Sequence, residues 1–130
     1  MLRIGFLPSD FNPMILMLGE AEDFRALAGV LRYFSRDPDA VRLDTLGFCA
    51  SRRTRLVLTG PDGPHGIERV DAETFLWRLD AARADGFAEM AESLAHPARL
   101  AGSEMLECST AEEIPVKISR GEFTDDFLGA

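Results

Sequence analysis

The stretch EAEDFRALAGVLRYFSRDP, residues 20–38, constrains the fold of this chain more than any other segment. Phe24, Leu27, Ala28, Leu31 and Phe34 recur at steps of three and four, so they line one face of a helix over residues 21–36. Glu20, Glu22 and Asp23 at its start and Arg32 and Arg36 near its end complement the helix dipole. Asp37-Pro38 stops it, because the residue before proline disfavours helical angles. A helix with one apolar face needs another layer to cover that face, and the rest of the chain supplies strands.

LRIGFL (residues 2–7) alternates in a two-residue period, and MILML (14–18) is apolar on both faces, as an interior strand is. PSDFNP between them is a turn-rich break. VRLDTLGF (41–48) alternates again, and RLVLTG (55–60) reads as a buried strand. GPDGPHG (60–66) has the Gly/Pro chemistry that reverses a chain between strands. IERV and TFLWRL follow as strand segments, with Phe75, Trp77 and Leu79 on one face. Asp80 then caps a second helix over residues 81–95, with Ala84, Phe87, Met90, Ala91 and Leu94 inward, and His96-Pro97 ends it. EMLEC and IPVKIS are strands joined by the acidic turn STAEE.

The predicted order is β-β-α-β-β-β-α-β-β. Short connections between strands favour antiparallel pairing, so the expectation is one α+β domain over residues 1–130. Its mainly antiparallel sheet would have six to seven strands, with two helices packed on one face. The other face would then carry Leu7, Ile15 or its neighbours, Val57 and Leu76, among others. These form either a patch for a partner or a second copy, or a surface covered by sheet curling or by the termini.

Charge narrows the function. The net charge is −8, but residues 1–60 carry eight Arg against seven acids, whereas residues 61–130 carry six bases against fifteen acids. Such a surface repels phosphate backbones, which argues against nucleic acid as a partner. No apolar run reaches the roughly 18–20 residues that span a bilayer. Cys49 and Cys108 form no spaced motif and no secretory signal accompanies them, so a cytoplasmic protein with reduced thiols is expected.

Candidate sites are few. Arg52, Arg53 and Arg55 in SRRTR lack the glycine-rich amides or adjacent helix N-terminus of a phosphate site, and read as a solvated hairpin tip. GPDGPHG lacks the Lys-Ser/Thr ending of a phosphate-binding loop, and His65 within it is expected to be exposed. His65, His96, Cys49 and Cys108 are too far apart in sequence for paired zinc ligands. Cys49 is the better candidate for a reactive thiol, and Cys108 reads as a small core residue. No nucleophile elbow or recognisable acid–base pair is present, and no cofactor motif.

MLECSTAEEIPVKISRGEF is similar to the end of small uncharacterised bacterial α+β proteins, with Ser119, Gly121, Glu122 and Phe123 in a Ser-x-Gly-Glu-aromatic pattern. The helix GEAEDFRALAGVLRYF and the strand FLWRL resemble the same proteins, some of immunity type. The resemblance implies no catalytic residues. The expectation is a non-enzymatic domain whose acidic second half meets a basic protein partner, with Glu112, Glu113, Glu122, Asp125 and Asp126 as contact residues. One alternative is a small ligand-binding or enzymatic domain with a pocket between sheet and helices, near Trp77, His65 or Arg53. Another is a structural homodimer through the open sheet face or a strand edge.

Overall fold

The computed structural model describes residues 1–9 and 12–128. Asp10 and Phe11, within the PSDFNP break, and the last two residues lie outside the described residues. The chain is α+β: β1 (Leu2–Leu7), β2 (Met14–Leu18), α1 (Ala21–Arg36), β3 (Val41–Arg42), β4 (Cys49–Ala50), β5 (Arg55–Thr59), β6 (Gly66–Arg69), β7 (Thr74–Arg78), α2 (Ala81–Ala95), β8 (Gly102–Leu106) and β9 (Val116–Arg120). Among the described residues no helix is long and apolar enough to cross a membrane.

Both helices form where local chemistry puts them. Glu20 caps α1, and the Asp23 carboxylate accepts the Glu20 amide at 2.8 Å, completing a reciprocal cap. The Asp80 carboxylate accepts the Arg83 amide at 2.8 Å and starts α2. Gly86 inside α2 carries a propensity cost of up to about 1 kcal/mol. Burial of Ala84, Phe87, Ala88, Ala91 and Leu94 on its inner face offsets that cost. The two helices pack on each other, and the Arg32 guanidinium grips the Glu92 carboxylate with two hydrogen bonds across their seam.

The strands depart from the single antiparallel sheet that the short connections predict. Among the described residues there are two mixed sheets, ordered β4-β1-β2-β9-β8 and β3-β5-β7-β6. β1 with β4, β2 with β9 and β5 with β7 run parallel. Five short strands, not three, separate the helices. Residues 41–48 are not one strand, because the buried Asp44 side chain takes the Arg42 guanidinium at 2.6 Å and the Leu56 amide at 2.9 Å. These bonds bend residues 43–45 into a 3-10 turn. The 60–66 turn does reverse the chain, but β7 inserts between the strands that it joins. SRRTR is not a hairpin tip, since β4 and β5 belong to different sheets.

The sheets share one core with the helices. Leu2, Ile4, Ile15, Met17, Val116 and Ile118 from the first sheet meet Leu56, Leu58, Phe75 and Trp77 from the second, and Phe24, Leu27, Leu31 and Phe34 from α1. Phe6 meets Phe75 across the sheet seam with ring centroids 4.8 Å apart, under the Arg69 guanidinium. Phe75, Trp77 and Leu79 are all buried, as their shared face predicts. The outer face of the five-stranded sheet is not bare: residues 122–128 lie across it, ending in a 3-10 turn at Asp125–Leu128.

Candidate functional site

A shaped cleft lies where the acidic turn 109–113 docks on β6. Ser109 and Glu112 both have left-handed backbones, with φ of 60° and 64°, which side chains larger than glycine adopt at a cost. The Glu113 carboxylate holds that shape by accepting the Cys108 amide at 2.7 and 2.9 Å and the Ser109 amide at 2.8 Å. The Ile114 amide donates to the Ile67 carbonyl at 3.1 Å, tying the turn to the β6 edge. Gly66, at φ 101°, leaves room for Glu113, because a Cβ there would collide with the carboxylate.

Between the turn and β6 lies a cleft of about 290 Å³, lined among others by His65, Glu68, Arg78, Glu112 and Glu113. Glu68 is paired with Arg78 at 3.3 Å. Glu112 stands exposed at the rim with no ion-pair or hydrogen-bond partner among the described residues. His65 is half-buried rather than exposed, with Nε2 3.6 Å from the Asp80 carboxylate that Arg83 also holds at 2.7 Å. Arg69 also lines the cleft, so three carboxylates face two guanidiniums there, and Glu112 is the carboxylate left without a partner among the described residues.

The five acids expected at a partner contact fall in two places. Glu112 and Glu113 line the cleft, whereas Glu122, Asp125 and Asp126 belong to the C-terminal segment. Glu113 serves the turn, Glu122 accepts from the Ser103 hydroxyl, and Asp125 pairs with Arg3 at 2.7 Å. Arg52 and Arg53 are exposed in the loop between the sheets, where the Ser51 hydroxyl closes a turn on Thr54. Trp77 is 1% exposed and stacked on Phe87 at 5.9 Å, so the space beside it between sheet and helix is filled.

Burial first, and then the Asp23 and Asp44 charges, push the Cys49 thiol up to about 12, which keeps it protonated and unlike the reactive thiol that its position suggests. Cys108 is pushed to about 12 by burial and by the charge and hydrogen bond of Glu113. It is half-buried, less enclosed than a core residue. Among the described residues no three His, Cys, Asp or Glu side chains are placed to share a metal ion. His96 caps α2 and accepts the Ala98 amide at 3.1 Å, well apart from the cleft's lining.

Reasoning from sequence missed Gly66, Glu68 and Arg78 as lining residues, and the clamp role of Glu113. The glycines of GPDGPHG carried a signal of tight backbone geometry, but nothing local pointed to its partner. Comparison with protein-family models, with curated proteins and with solved structures finds no match.

Proposed function

We propose that this chain is a non-enzymatic protein-binding domain of immunity type that captures a basic partner at the cleft between β6 and the 109–113 turn. The observation that carries the reading is the locked turn, which presents Glu112 uncompensated at the rim beside Glu68. A turn whose shape is set before contact loses less entropy on binding. The surplus of acids in residues 61–130 raises the rate of encounter with a positively charged protein. The cleft has room for one long basic side chain, and cytoplasmic action suits the two free thiols.

The test is affinity capture from host lysate, with the wild-type chain and Glu112→Lys as parallel baits and a sodium chloride gradient for elution. The reading requires a basic protein that the wild type retains, that salt elutes, and that the variant holds about fivefold less tightly. Equal retention by both baits, or no salt dependence, rejects it.

A further inference from the structure

The outer face of the five-stranded sheet behaves as a groove with a ligand already in it. Pairing in register puts Arg3, Gly5, Leu16, Leu18 and Lys117 on this face. Leu16 and Leu18 are 1% and 2% exposed, yet neither belongs to the central core. The chain's own C-terminal segment lies on this same face, packed against β1. Leu128 rests on the bare backbone of Gly5, where an added Cβ would stand 3.0 Å from its side chain. Asp125 pairs with Arg3 at 2.7 Å, Lys117 lies 4.5 Å from the centre of the Phe123 ring, and Phe127 meets Phe123 edge-on at 5.2 Å. A glycine, a leucine floor and two cations thus match an acidic, aromatic tail position by position.

That tail is held lightly. It leaves β9 through Gly121, at φ 74°, and Phe127 remains 51% exposed. Each of the contacts named for residues 123–128 is either internal to the segment or made to β1 or β9.

We propose that residues 122–128 exchange between two copies of this chain, each tail lying in the other's groove. A second copy offers the identical seat, so the exchanged dimer keeps every contact and changes only the path at Gly121. A tail tethered at short range has an effective concentration in the millimolar range, so the closed single chain dominates in dilute solution and exchange grows with concentration. Two copies of net charge −8 repel, so salt promotes exchange. This is the opposite of the salt response expected for capture of a basic partner, so the two proposals fail independently.

The experiment uses two full-length variants, Arg3→Glu and Asp125→Arg, each of which sets like charges against each other inside one chain. In an exchanged pair made from one copy of each, both seats regain an opposite-charge contact. Native mass spectrometry and light scattering of the equimolar mixture are expected to show twice the 14.3 kDa chain mass. The dimer should be about tenfold tighter than in either variant alone. The chain carrying both substitutions regains its internal pair and is expected to behave as the wild type. A mixture that stays at single-chain mass, with circular dichroism showing both variants folded, overturns the proposal. If either variant fails to fold, the wild type is measured up to about millimolar concentration in rising salt. Dimer growth there supports exchange, and a constant single-chain mass overturns it.

Discussion

The Glu113 carboxylate occupies the space that a side chain on Gly66 would need. Two segments 47 residues apart in sequence are thereby locked together: a backbone that glycine adopts easily and an acid that pins a left-handed turn. Gly66→Ala must both strain the backbone and displace the acid. It is expected to destabilise the chain by about 2–3 kcal/mol. Urea unfolding measures this, and a loss below the error of that method would show that the turn does not depend on Gly66.

The same carboxylate sets the chemistry of Cys108. Its charge adds to burial in holding the thiol near 12, so Glu113→Gln should move the thiol pKa down while burial keeps it above the ordinary value. Alkylation of Cys108 by iodoacetamide, followed across pH by mass spectrometry of its peptide, should therefore rise at lower pH in the variant. An unchanged profile would leave burial as the whole cause.

Acid sensitivity follows from the caps and turns. The amides of Glu73 and Thr74 hold Asp71 below the usual carboxylate range, and the Arg83 amide does the same for Asp80. At Asp44 burial pushes upward, but the Arg42 guanidinium and the Leu56 amide outweigh it, and the net shift is down. A carboxylate whose folded pKa is depressed contributes stability above its unfolded value, and that contribution disappears as pH falls through the folded value. Stability should therefore hold at neutral pH and decline below about pH 4. Asp80→Asn keeps a capping oxygen, so it should change neutral stability by less than about 1 kcal/mol. Chemical denaturation at several pH values should show a shallower acid decline in that variant.

Trp77 is the only tryptophan and is stacked on Phe87 within the core. Native fluorescence should be blue-shifted and resist acrylamide quenching, and Trp77→Ala should cost about 3–5 kcal/mol. Emission near that of free tryptophan in the native state would place an open pocket where the structure has packed side chains.

Much of the local structure was legible in advance. The stripe Phe24–Phe34 and the stops at Asp37-Pro38 and His96-Pro97 located both helices, because periodicity, capping and proline sterics act within a few residues. The alternation of residues 41–48 is that of a strand, but Asp44 turns inward to bind the Leu56 amide, twelve residues on, and bends the segment into a 3-10 turn.

Local chemistry along the chain sets the two helices, the positions of most strands, the α+β class and the acidic second half. Long-range packing settles which strands pair, since β2 beside β9 and β7 between β5 and β6 depend on closing one core from both sheets. It also decided the use of each acid. Glu113 became a clamp and Asp125 a tether, whereas Glu112 stayed uncompensated at the rim. Composition counts charges, but the work of a carboxylate depends on which amide or guanidinium the fold brings within hydrogen-bonding distance, and that distance is not written locally in the chain.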